Sequence, residues 1–194
     1  MTLQDVPAFA AWEHREARRG FEVAFFARTG AGHRVHGGTA AVEAEQPWVV
    51  TYDIDLDEQW RTRRAVVTSR TLAGDRAVVL DHDGTGDWLV DGVAAPGLAG
   101  CLDVDLESSV VTNALPLRRV RPRPGDRIDA PAAYVHASAS AVERLEQTYS
   151  RLADAETGEQ RYDYAAPAFE FSCELTLDGA GLVRTYPGLA TRTG

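Results

Sequence analysis

The segment from Gly100 to Arg119, GCLDVDLESSVVTNALPLRR, gathers the residue types best able to do chemistry. Asp103 and Asp105 alternate with Leu102, Val104 and Leu106, the period of a strand whose two acids share a face. Two residues along a strand separate such carboxylates by roughly 6–7 Å. That spacing brackets the separation at which glycosidases hold their acid and base. The same acids lie among aliphatics, however, and Arg118 and Arg119 follow closely. The competing reading is a desolvated ion pair between Asp103 or Asp105 and Arg118 or Arg119, tying a helix to a sheet. The structural ion pair is the expectation carried forward, with hydrolysis by paired carboxylates as the alternative.

Other candidate sites are less complete. Asp53 and Asp55 repeat the two-residue spacing, and a solvated strand face accounts for them. Asp81 to Asp87, DHDGTGD, sets oxygens and a glycine at the first seven positions of a calcium loop. Its twelfth position is Gly92, where such a loop needs a bidentate glutamate, so a polar hairpin turn is expected. His33 and His36 fall on opposite faces of a strand and cannot share a metal. His14, His82 and His136 have no ligand-like companions. Cys101 and Cys173 lack metal-ligand spacing and read as small buried hydrophobes. No nucleophile elbow or phosphate-cradling loop is present. Neither a metal nor a cofactor is expected.

Aromatic residues concentrate in the C-terminal third: Tyr134, Tyr149, Tyr162, Tyr164, Phe169, Phe171 and Tyr186. Most should be core. Tyrosine, with its apolar body and polar tip, also suits the mouth of a pocket for an amphiphile. Tyr149, Tyr162 and Tyr164, with Trp60, are the candidate ligand-binding residues.

The elements that must position these side chains are mostly strands. FEVAFFAR (21–28), HRVHGGTAAVEA (33–44), WVVTYDIDL (48–56), RRAVVTSRTL (63–72), RAVVLDH (76–82) and DWLVDGV (87–93) are short alternating runs broken by glycines. They predict an antiparallel meander. Within Thr51–Leu56 the aliphatic and aromatic residues fall on one face and the acids on the other. One helix is predicted, between about residues 108 and 120, with Pro116 near its first turn and Pro122 and Pro124 beyond its end. Residues 139–152 space Val142, Leu145, Tyr149 and Leu152 as a helix would. RYDY, FEFSCELTLD and GLVRTYPG then return to strand alternation.

The chain has 194 residues and a net charge of −9, and all 20 basic residues are arginine. That length suits one domain over 1–194 with a substantial core. An acidic balance disfavours nucleic acid, whose affinity rests on a basic face. No basic leader precedes an apolar stretch, and no apolar run reaches the roughly 18–20 residues that span a bilayer. A cytoplasmic location without an integral membrane segment is the expectation.

Several short motifs follow one another along the chain, and two of them, TNALPLRR and YPG, are not explained by strand patterning. In chain order they are Trp12, Phe21-Glu22, Tyr52, Trp60-Arg61, GCLDVDL, TNALPLRR (112–119), QTY (147–149), YDY (162–164) and GLVRTYPG (181–188). TNALPLRR and YPG are the most specific. Over nearly the whole chain this pattern resembles the glycolipid-binding family that began as a domain of unknown function. The resemblance implies a mainly β fold, a spiral β-roll in which a long antiparallel sheet is rolled around a single short helix. TNALPLRR would be that helix, and residues 139–152 would be extended. It further implies a homodimer and a lipid-like or glycolipid-like ligand bound without catalysis. A dimeric interaction protein with no ligand is a further alternative.

Overall fold

The computed structural model describes residues 3–138 and 141–194. Six strands open the chain: β1 (Phe9–His14), β2 (Arg19–Thr29), β3 (Gly32–Glu43), β4 (Gln46–Asp57), β5 (Thr62–Thr71) and β6 (Gly74–His82). Two short ones follow, β7 (Trp88–Val90) and β8 (Val93–Ala94). Then come β9 (Asp103–Leu106), a 3-10 turn at Val111–Asn113 and the helix α1 (Ala114–Val120). The chain continues through β10 (Arg127–Asp129), β11 (Ala132–Val135), β12 (Val142–Leu145) and β13 (Thr148–Arg151). It ends with β14 (Gln160–Ala166), β15 (Phe171–Leu177), β16 (Val183–Tyr186) and β17 (Ala190–Arg192).

Fourteen strands form one sheet in the order β10-β13-β14-β15-β16-β17-β1-β2-β3-β4-β5-β6-β7-β8. The fold is thus mainly β, with 55% of the described residues in strands. The pairing of β1 with β17 joins the N-terminal meander to the C-terminal one. Open sheets of more than about ten strands curl, because each strand is rotated against the last. Here the curl brings both arms of the sheet onto one core, which holds Trp12, Ile54, Leu80, Leu115 and Leu175 together. A second sheet, β12-β11-β9, lies inside the roll, and β9 pairs with β11 in parallel.

α1 has only seven residues, too few to be stable alone in water, and no side chain caps its start. What holds it is enclosure, since Ala114 through Arg118 are all buried. Buried polar groups on the sheet fasten the segment that leads into it. Thr62 donates its N–H to Leu102 O, and its Oγ1 accepts the N–H of Val104 at 3.0 Å. The Thr39 hydroxyl donates to Ser108 O at 2.7 Å. Glu22, fully buried, accepts the Tyr52 hydroxyl at 2.7 Å, the Val110 N–H at 2.8 Å and the Ser109 hydroxyl. A buried carboxylate with three donors is stabilised in place, whereas an unpartnered one would not be.

The extended reading of QTY matches the structure. Val142–Leu145 and Thr148–Arg151 are strands, and Ala139 and Ser140 lie outside the described residues. Asp83 accepts the N–H groups of Thr85, Gly86 and Asp87, so the DHDGTGD segment is a polar turn. Among the described residues no group of three or more His, Cys, Asp or Glu could hold a metal, and no helix is long and apolar enough to cross a membrane.

Candidate functional site

A cleft of about 380 Å³ opens where the inner three-stranded sheet meets the rolled one. From the inner sheet, β9 supplies Asp105, β11 supplies Tyr134 and β12 supplies Leu145. The long sheet supplies Tyr164 and Ala166 from β14, Phe171 from β15 and Tyr186 from β16, while Phe169 comes from the turn between β14 and β15. Arg18, Glu43 and Glu107 add charge, and Asn113 and Ser109 add buried polar atoms. The lining is mostly ring and aliphatic surface with a few converging polar groups, the usual make-up of a small-molecule site.

The rings are packed against one another. Tyr164 and Tyr186 meet edge to face at 5.9 Å between centroids, Phe171 lies 5.9 Å from Tyr186, and Tyr134 lies 5.3 Å from Phe169. Burial raises the pKa of Tyr134, Tyr164 and Tyr186, so all three remain neutral phenols.

Asp105 is the buried acid of this cleft, only 6% exposed. It stands opposite Tyr134 in the β9–β11 register. The Thr112 hydroxyl donates to its Oδ1 at 2.6 Å, and among the described residues no cation pairs with it. Burial pushes its carboxyl up to about 6, against the smaller opposing effect of the Thr112 hydrogen bond. Arg18 is also buried. Its Nη2 donates to Glu107 O at 2.6 Å, its Nη1 stands 3.8 Å from Glu43 and its guanidinium lies over the Trp48 ring.

The four side chains expected at the hinge of helix and sheet separate into different settings. Arg119 pairs with Asp103, whose other carboxylate oxygen is buried without a partner. Burial raises the Asp103 pKa despite the attraction of Arg119. Arg118 instead donates to Ala180 O and lies 4.2 Å above the Trp60 ring, and burial lowers its pKa to about 10. Asp105 faces the cleft with Thr112, and Asp103 does not line it.

Of the four residues expected to line a ligand site, Tyr164 is on the cleft. Tyr149 lies behind it, its ring 5.0 Å from that of Tyr164 and its hydroxyl donating to Asn113 Oδ1 at 3.0 Å. Tyr162 is buried under the Arg151 guanidinium. Trp60 is stacked between His33, at 4.3 Å, and Arg118. Neither Tyr162 nor Trp60 lines the cleft. Tyr134, Tyr186, Phe169 and Phe171 do, and their signal in the sequence was the same C-terminal aromatic excess. Arg18, Glu43 and Glu107 carried no signal, because nothing local in sequence joins them.

A larger depression of about 730 Å³ lies beside His82 and Trp88, lined also by Arg63, Asp81, Asp83 and Asp87. It also takes Leu89, Ala94, Ala95 and Pro96 from β7, β8 and the chain after them, and has Trp88 and His82 in place of the converging tyrosines of the first.

Comparison with solved structures finds a DUF1089 family protein from Pseudomonas aeruginosa at 29% identity. The match has a TM-score of 0.77 and covers 100% of this chain and 97% of that one. A β-barrel-like protein of domain of unknown function DUF1849 from Brucella abortus matches at 11% identity and a TM-score of 0.54. It covers 98% of this chain and 96% of that one, and shows the shared fold alone. No curated protein matches the sequence. A family model described as "Putative glycolipid-binding" matches residues 9–192. By that match over nearly its whole length, the chain belongs to the family described as "Putative glycolipid-binding".

Proposed function

We propose that the protein binds a lipid-like amphiphile in the cleft between its two sheets and leaves it chemically unchanged. The observation that carries this reading is the convergence of Tyr134, Tyr164, Tyr186 and Phe171 on one apolar space with Asp105 and Asn113. At about 380 Å³ the space is near the small end of the roughly 300–1,000 Å³ range for ligand sites, which favours a single chain or a single head group. The family's name points to lipid-like ligands as well. The alternative of hydrolysis by paired carboxylates is disfavoured because Asp103 is held by Arg119 away from the cleft that Asp105 lines.

Calorimetric titration with single-chain dodecyl amphiphiles below their micelle concentrations tests the proposal. Saturable one-to-one binding is expected, with the ligand recovered intact. Absence of any saturable heat across the series would reject it.

A homodimer is proposed too, on a separate observation. Phe9 and Phe25 face each other across β1 and β2 on the outside of the roll, 52% and 53% exposed, and Phe21 is exposed further along the same face of β2. An exposed apolar strand face of this kind suits a second copy of the same surface about a two-fold axis. Sedimentation should give a dimer that Phe25→Glu converts to a monomer. A monomeric wild type would refute this.

A further inference from the structure

We propose that the cleft selects an organic ammonium head group, so that the amphiphile it prefers is cationic. The inference rests on the binder reading above and narrows it. Rings from both sheets bound the space: Tyr164, Tyr186 and Phe171 on the rolled sheet, Phe169 on its β14–β15 turn, and Tyr134 of the inner sheet in contact with Phe169 at 5.3 Å. Ring faces attract alkylated ammonium groups, which are weakly hydrated and need no hydrogen-bond partner. Asp105 lies beside Tyr134, accepts from the Thr112 hydroxyl and more weakly from the Leu106 N–H, and has no paired cation among the described residues.

The remaining charges favour the same sign of ligand. Glu43, Glu107 and Asp105 line the cleft against one cation, Arg18. Arg18 donates Nη2 to Glu107 O, stands 3.8 Å from Glu43 and lies over the face of Trp48, while its Nε and Nη1 have no hydrogen-bond partner among the described residues. Glu107 accepts the Ala137 N–H at 2.7 Å and stands 3.8 Å from His136, so part of its charge is spent locally. An anionic head would meet Asp105 directly, and a neutral one would gain little from it. The whole chain carries −9, which assists the approach of cations.

The same acid makes the selection depend on pH. The groups around Asp105 are Thr112, which donates to it, Asp103 on the same strand, and the phenols of Tyr134, Tyr149, Tyr164 and Tyr186. Beyond these stand Arg18, Glu43 and Glu107. Burial pushes the Asp105 carboxyl up to about 6, so below that pH it is neutral and offers a cation nothing. One unit below its pKa an acid is about one-tenth ionised, so affinity for a cation falls about tenfold between pH 7.5 and 5.

The test titrates the full chain with dodecyltrimethylammonium, dodecyl glucoside and laurate at constant ionic strength and at pH 7.5 and 5. Expected is dodecyltrimethylammonium binding at least tenfold tighter than the other two at pH 7.5, with about a tenfold loss at pH 5. Asp105→Asn should remove the pH dependence, and Phe169→Leu, at an exposed ring whose loss leaves the core intact, should weaken the cation more than the glucoside. Saturable binding of the glucoside or laurate as tightly as the cation would overturn this inference and leave the binder reading standing. So would cation binding indifferent to both substitutions, the mark of adsorption to an acidic surface. Failure of all three probes would remove the binder reading itself.

Discussion

Asp103 and Asp105 stand two residues apart on β9 and are stabilised by different means. Asp103 keeps Arg119 as a partner, while Asp105 has the Thr112 hydroxyl and, among the described residues, no cation. The Asp105 pKa rises from an ordinary 3.8 to about 6, so the folded state holds a proton that the unfolded chain releases. Its contribution is full below about pH 4 and is lost as pH rises through about 6. Asp105→Asn removes the loss, raising stability at pH 7.5 by up to ~3 kcal/mol and leaving pH 4 nearly unchanged. Urea unfolding at the two pH values checks this, and an equal shift at both would contradict it. Arg119→Ala acts the other way, since removing one partner of a buried pair costs about 3–5 kcal/mol. Because burial already raises the Asp103 pKa, that acid escapes by taking up a proton, so the destabilisation should be larger at pH 8 than at pH 5. At this scale the sequence was informative about the presence of a buried acid–arginine contact in 100–119, through its aliphatic surroundings. Which arginine met which acid was not legible, because the choice depends on Ala180 and Trp60, distant in sequence, which take up Arg118.

At the scale of elements, periodicity carried most of the information and misled where the inside of the roll is polar. β4 follows its pattern, with Tyr52, Ile54 and Leu56 inside and the aspartates outside. β2 inverts the usual one: Glu22 is buried while Phe21 and Phe25 are exposed, because the inward side must fasten the 108–113 segment. Only the family pattern marked Phe21-Glu22 in advance. Residues 142–151 have helical spacing yet form two strands, since pairing of β12 with β11 and of β13 with β14 outweighs local propensity. The turn between β3 and β4 holds a strain invisible to periodicity. Ala44 and Glu45 both have positive φ, 46° and 60°, in a two-residue hairpin loop that favours Asn-Gly. Ala44→Asn with Glu45→Gly should stabilise the protein by roughly 1–2 kcal/mol. A lower thermal midpoint for the double variant would contradict the assigned turn.

For the whole molecule, the roll explains why a cleft forms at all. A sheet of 14 strands cannot stay flat, and once curled it must fill its interior with a second sheet and a helix. The filling is complete around α1 and incomplete where β9, β11 and β12 meet β14 to β16, which leaves the ring-lined space. The fold class was legible because alternation recurs in nearly every segment. The cleft was only half legible, since it draws one side from an aromatic-rich tail and the other from residues such as Arg18 and Glu43 that folding alone brings there. The central claim is that an amphiphile occupies this space and no other. Nuclear magnetic resonance of the six tyrosines, selectively labelled and titrated with dodecyltrimethylammonium, tests it most directly. The account predicts saturable ring shifts at Tyr134, Tyr164 and Tyr186, with Tyr52 and Tyr162 unmoved. Shifts confined to Tyr162 or Tyr52, or saturable binding with all six rings silent, would contradict it.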